Sequence, residues 1–273
     1  MLDAVTRAAA RPPGRRVVVA RRRYDPRVAV DVRRGPDRFH TELDWLDSWH
    51  SFSFGPHYDP RNTGHGLLVV SNDDVVRAGT GFGTHPHRDM EIVTWVLRGE
   101  LEHRDSTGTV GIVYPGLAQR MSAGSGVTHS EMNASATADV HLVQMWVLPD
   151  TTGIAPSYEQ RDVSAALDDG GLVVVASGRP EDDAIRLHQR DAVLHAGRLA
   201  AGETVALPDA PHVHVYVAVG TGVLDEAGVD AAGLDEAGAT SLATGDAVRL
   251  TDAGERALTA GDDGAEVLVW ATA

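Results

Sequence analysis

The chain contains no cysteine and no lysine, and it has no apolar run long enough to cross a membrane. Without cysteine there is no disulfide, no thiolate metal site and no cysteine nucleophile. A membrane helix needs about 20 consecutive apolar residues. Near the N-terminus the longest run is "VVVA" (17–20), short even of the roughly 7–15 residues of a secretory signal core. These absences lead us to expect a cytoplasmic protein. All 24 basic residues are arginine. Together with the heavy use of Ala, Gly and Val, this reads as a genomic bias without functional weight.

Positive charge is scarce and unevenly placed. The formal net charge is −15, yet residues 1–38 hold 11 arginines against four aspartates. The remainder is strongly acidic, which argues against nucleic acid as a partner. Residues 1–28, broken by "AAARPPGRR", read as an arginine-rich extension outside the folded body. The rest of the 273 residues, with 42% hydrophobic content overall, suffices for one large or two medium domains.

From about residue 29 the chain reads as short strands between turns. "AVDVRR", "GLLVVS", "EIVTWVL", "ELEHRD", "VGIVYPG" and "HLVQMWVL" are rich in Val, Ile and Trp and are bounded by Gly, Pro, Asn or Asp. The "RG" between "EIVTWVL" and "ELEHRD" suggests a tight hairpin. "PDTTGIAPSYEQ" (149–160) reads as a connector, with 151–160 as the linker proper. After it come "GLVVVAS", "HVHVYVAVG", "GDAVRLT" and "AEVLVWA", again strand-like. The expectation is an all-β protein with few short helices and two similar β-sandwich or barrel domains in tandem, at 29–150 and 161–273. The segment 221–240 carries "LDEAG" twice and reads as a low-complexity surface loop.

Two short stretches carry the chemistry. "GFGTHPHRDMEIVTWVLRG" (81–99) places His85 and His87 two apart, and "AGSGVTHSEMN" places His129 and Glu131 two apart. On a strand, such pairs point to one face. Three imidazoles and one carboxylate suit Fe, Mn, Ni, Cu, Co or Zn, and they leave positions open on a six-coordinate ion. A closed tetrahedral zinc site would leave none. Glu91, four residues after His87, has the same parity and competes with Glu131 as the carboxylate ligand; otherwise it could orient a histidine or act as a base. His103 and Asp105 either line the same pocket or form a solvent-facing strand edge. Trp95, Met90 and Met121 read as core.

These residues resemble a known family. "GTGFGTHPHRDMEIVTWVLRG" and "GSGVTHSEMN" are similar to the two cupin motifs. In order along the chain, "DWLDSWHSFSFG", "HPHRDMEIVTWVLRGELEHRDSTG", "PGLAQRMSAGSGVTHSEMN" and "LVQMWVLP" resemble pirin, in particular the bacterial pirin-like quercetin 2,3-dioxygenases. The likeness spans about residues 29–273 and is strongest over 43–149. It implies a bicupin with one metal, usually iron, in the N-terminal barrel. It also implies ligands at His85, His87, His129 and Glu131, which favours Glu131 over Glu91. The second barrel has "HVH" (His212 and His214), but no histidine follows Val215, so a structural, metal-free barrel is expected. The implied activity is metal-dependent cleavage of a flavonol such as quercetin by O2, with Glu131, Glu91 or His103 in catalysis. The alternative is an iron-dependent regulatory protein that binds a protein partner.

Overall fold

The computed structural model describes residues 30–225 and 239–273. The arginine-rich extension and most of the 221–240 loop lie outside the described residues. The first half runs β1 (Val30–Arg33), β2 (Phe39–Glu42), β3 (Leu46–His50), β4 (Leu68–Val76), β5 (Gly81–His87), β6 (Glu91–Arg98) and β7 (Leu101–Asp105). It continues with β8 (Val110–Val113), β9 (Leu117–Ser122), β10 (Val127–Asn133), β11 (Val140–Val147) and β12 (Ser157–Asp162). A five-residue helix, α1 (Ser164–Asp168), leads to β13 (Val173–Ser177), β14 (Ile185–Arg186), β15 (Ala192–Leu199) and β16 (Thr204–Ala206). The chain closes with β17 (His212–Leu224), β18 (Thr240–Ala243), β19 (Ala247–Thr251) and β20 (Ala257–Thr272). The protein is an all-β bicupin, and among the described residues no helix is long and apolar enough to cross a membrane.

The first barrel faces a seven-stranded sheet, in the order β12-β9-β6-β11-β4-β3-β2, against a four-stranded sheet, β5-β10-β7-β8. The second is a nine-stranded sheet built on β1-β19-β17-β20-β15-β13-β14. These pairings revise three sequence expectations. β1 pairs with β19, so residues 30–33 complete the second barrel although they precede the first. β12 pairs with β9, so the expected linker ends in a strand of the first barrel. The turn at Gly99 makes no hairpin; it carries the chain from β6 in one sheet to β7 in the other. The hairpin lies one step later, between β7 and β8.

The two barrels meet across the outer face of the seven-stranded sheet. Val93, Trp95, Val143 and Met145 from the first barrel share one buried apolar cluster with Leu194, Tyr216, Leu268 and Trp270 from the second. Trp95 is therefore core, as its sequence context suggests, and its indole N–H donates to Glu266 across the interface at 2.7 Å. Burying these large apolar side chains on both sides ties the barrels together, at about 25 cal/mol per Å² removed from water.

Candidate metal centre

The inner face of the four-stranded sheet gathers the candidate residues. Directly opposed residues of an antiparallel pair share a face. On β10, His129 stands opposite His85 of β5 and Asp105 of β7, while Glu131 stands opposite His103. Burial alternates along β10, with Val127, His129, Glu131 and Asn133 buried and the residues between them less so. That period of two is what the H-x-E spacing implies.

A bulge in β5 turns its histidines to the same face. From the His129–His85 pair to the Glu131–Phe82 pair, β10 advances two residues and β5 three. The extra residue resets the alternation, so His85 and His87, rather than Thr84 and Pro86, oppose buried positions of β10. Re-aiming a side chain is a common use of a bulge beside a site. The carbonyl of Gly83, inside the bulge, accepts a hydrogen bond from His85 Nδ1 at 2.7 Å. At Gly81 a Cβ would stand 2.3 Å from the Glu131 carbonyl oxygen, so only glycine allows β5 this close.

The cluster is compact and short of protons. His85, His87 and His129 each offer a ring nitrogen, and these atoms lie within 4.8 Å of one another; His103, His129 and Glu131 form a second such trio. His129 Nε2 is 3.1 Å from His85 Nε2, and His129 Nδ1 is 3.4 Å from His103 Nδ1. Burial, then the neighbouring His129 and His85, push the His87 imidazole down to about 4. Burial, then His85 and His103, push His129 down to about 3. Both rings are therefore neutral at ordinary pH, with lone pairs free to coordinate. His85 donates its Nδ1 proton to Gly83, so in the neutral ring Nε2 is a lone pair facing His129 Nε2. A cation held by the His85, His87 and His129 trio fits that arrangement, with Glu131 reaching the same sheet face through the second trio that shares His129. The donor set of three imidazoles and one carboxylate suits a first-row transition metal.

Glu131 is held from the facing sheet. Gln144 Nε2 on β11 lies 2.9 Å from each carboxylate oxygen of Glu131, and Gln144 Oε1 accepts from the Trp146 indole at 3.0 Å. The Trp146 ring meets His87 edge-on at 4.9 Å between centroids. Gln144 and Trp146 escaped the sequence reading, although a glutamine inside the apolar run "HLVQMWVL", two residues before a tryptophan, was the available signal. Tyr158 of β12 also packs on His103, at 4.8 Å. Burial raises its phenol to about 12, so it remains protonated. Met90 and Met121 pack with Ile92, Val127 and Trp146 into a small apolar cluster beside His87. A groove of about 400 Å³ opens to solvent here, lined by His87, Arg88, Ser106, Val127 and Thr128.

The other candidates fall in different places. Glu91 is fully buried but turned away from the cluster. It accepts hydrogen bonds from Ser122 Oγ at 2.5 Å and from the His188 backbone N–H at 3.1 Å, with Arg120 Nε 4.0 Å away. The parity argument for Glu91 fails because residues 88–90 form a turn, with Asp89 at φ 49°, between strands of different sheets. Alternation does not carry through such a turn. His103 and Asp105 are not a solvent-facing edge: His103 is 1% exposed and its Nε2 lies 3.1 Å from Asp105. In the second barrel, His212 packs on His65 and His214 on Phe52, and neither belongs to either trio. Asn133, which ends the second cupin motif, donates to the carbonyls of Val76 and Ala138 and so locks a loop.

Comparison with known proteins agrees with this architecture. Residues 32–147 match the pirin family and residues 174–270 match the quercetinase C-terminal cupin domain. A quercetin 2,3-dioxygenase of Escherichia coli strain K12 is 43% identical, over 76% of this chain and 87% of that one. A Mycobacterium tuberculosis protein provisionally given the same name is 56% identical, over 88% of this chain and 94% of its own. The crystal structure of the bacterial pirin YhhW from Escherichia coli, in complex with nickel(II), superposes with a TM-score of 0.77 at 37% identity, covering 88% of this chain and 97% of that one. Both halves match in order and the identity extends over nearly the whole of a relative, so the chain belongs to the pirin family.

Proposed function

We propose that the protein is a metal-dependent dioxygenase of the quercetin 2,3-dioxygenase type. In this reading His85, His87, His129 and Glu131 hold the ion, with iron as the working metal, and the substrate is a flavonol-like aromatic. The observation that carries the reading is the convergence of two neutral, depressed imidazoles, a third with its Nε2 lone pair turned inward, and one buried carboxylate on a single sheet face. The relatives' names support the reaction class. Nickel in the Escherichia coli pirin crystal supports a divalent transition metal without choosing iron.

When bound, the ion supplies Lewis acidity and a common meeting place for a substrate oxygen and O2. The chain does the rest. Glu131, oriented by the two contacts from Gln144, accepts the proton of the substrate's 3-hydroxyl at a carboxylate oxygen. His85 and His87 are half-buried while His129 is 2% exposed, and His87 lines the groove. Val127 gives the flat ring an apolar contact, with Trp146 packed in the same cluster, and about 400 Å³ lies within the range of small-molecule sites. The overall reaction opens the central ring with loss of carbon monoxide. Glu91, facing the other barrel, takes no part.

An open groove beside His87 favours turnover over a purely regulatory role, in which the ion would be a switch for a protein partner. The test is oxygen uptake by iron-loaded protein on adding quercetin, with His129→Ala alongside. Uptake in step with loss of flavonol absorbance, abolished in the variant, is the expected result. No uptake with iron confirmed bound would overturn the enzymatic reading.

A further inference from the structure

Behind His129 lies a line of polar groups that leads away from the metal-facing side. Asp105 opens the β7–β8 turn, and one of its oxygens, Oδ1, accepts from the Thr107 backbone N–H at 2.8 Å, the Thr107 hydroxyl at 2.6 Å and the Thr109 backbone N–H at 3.2 Å. Those three donors fix the carboxylate's orientation. The other oxygen, Oδ2, is left pointing at His103 Nε2, 3.1 Å away. Burial works to raise the Asp105 carboxyl, but the hydrogen bonds from Thr107, His103 and Thr109 outweigh it and hold the group ionised below its ordinary value.

With Oδ1 taken up by three donors and Oδ2 free to accept, the proton shared with His103 sits on its Nε2. In the neutral ring Nδ1 is then a lone pair, and it faces His129 Nδ1 at 3.4 Å. The proton between them therefore belongs to His129 Nδ1, which leaves the His129 Nε2 lone pair aimed at His85 and His87. With both rings neutral, neither can settle otherwise without setting two lone pairs, or two protons, against each other inside a nearly dry pocket, where His103 and His129 are 1% and 2% exposed.

We propose that Asp105 and His103 are positioning residues, a two-step relay that fixes the tautomer of His129 as a metal ligand. This rests on the reading of His129 as a ligand and not on the reaction performed. The relay also explains why His103, although close to His129 and Glu131, is not itself a ligand: both of its ring nitrogens are engaged. A histidine ligand commonly hands its second nitrogen to a carboxylate directly; here a second imidazole is interposed.

The relay makes a prediction that simple structural support does not. In Asp105→Asn the three donors at Oδ1 hold the amide oxygen in place, so the amide NH2 must face His103 Nε2. That reverses the tautomer of His103, then of His129, and puts a proton on the nitrogen that should coordinate. Asp105→Ala removes the constraint without reversing it. Zinc affinity, measured by chelator competition on the full chain, should fall about 100-fold in Asp105→Asn and only about tenfold in Asp105→Ala. Two-bond hydrogen–nitrogen correlation spectra of histidine-labelled protein should show the proton of His103 on Nε2, and in Asp105→Asn on Nδ1. The spectra read His103 with or without zinc, so they hold whether or not the protein oxidises flavonols. A proton on Nδ1 of His103 in the unmodified protein, or alanine proving worse than asparagine, would overturn the proposal.

Discussion

Inside the first barrel, Ser48, His50, Asn72, Asp74, Thr94, Gln119, Glu131 and Gln144 are all buried. The apolar cluster of the second barrel is aliphatic, with Val30, Leu199, Val213, Val215, Val217, Leu258, Val267 and Val269 among its members, while the buried polar groups of that half include Thr240, Asp246, Arg249 and Arg256. Both barrels are made of β-strands, and the contrast lies in how many polar residues occupy their buried positions. Buried polar groups cost free energy unless they are paired. The first barrel largely pairs its own: Gln144 with Glu131, Ser48 with Asp74, and His50 with Thr41. Such an interior sacrifices packing for chemistry, whereas the second barrel keeps a packed core and turns His212 and His214 outward to the interface between the barrels. The first barrel carries the candidate site, and the apolar cluster that joins the two barrels draws on both.

The sharpest way to break the comparison is at the histidines. His129→Ala should lose most of the bound metal while His212→Ala retains it, as read by metal analysis after dialysis. Equal loss in both would end the assignment of the site to the first barrel. Next in size, Leu258→Ala in the second barrel should cost about 2–5 kcal/mol in denaturant unfolding with metal content unchanged. A fall in bound metal matching that of His129→Ala would show the two barrels are not separable in this way.

A third prediction concerns pH. Burial, against the hydrogen bond from Ser48 and with the charges of Asp73 and Glu131, raises the Asp74 carboxyl to about 7. The folded protein thus keeps a proton that the unfolded chain releases near pH 4. Asp74 therefore costs stability progressively as pH rises from about 4 to 7, by up to about 4 kcal/mol. Asp74→Asn should match the parent at pH 4 and exceed it at pH 8; parallel stability curves for chelator-treated proteins would contradict this. The smallest effect is expected at Gln144→Ala, which frees Glu131 and should weaken metal binding about 10–100-fold by chelator competition. Unchanged affinity would mean that Glu131 is held by its strand alone.

Much of the site was legible because its pairs are local. H-x-H and H-x-E on strands need only the period of two to share a face, and the motif order then leads to the bicupin fold. Glu91 shows where that logic stops: its parity with His87 was correct on paper, but a turn at Asp89 moves it into another sheet. His103 was ambiguous for the same reason, since "EHRD" reads alike at a solvent edge and inside a barrel. Gln144 and Trp146 were hidden because only the packing of one sheet over the other brings β11 to β10.

The sequence by itself determined the all-β class, the tandem repeat and the candidate histidines His85, His87 and His129, since these follow from composition and short-range periodicity; the choice of Glu131 over Glu91 came from the family resemblance. Tertiary structure decided the rest: β1 crossing into the second barrel, the bulge that turns His85 and His87 inward, the fate of Glu91, and the line from Asp105 through His103 to His129. Each of those depends on which strands become neighbours. That is set by how two sheets bury their apolar faces over the whole chain, and no local pattern encodes it.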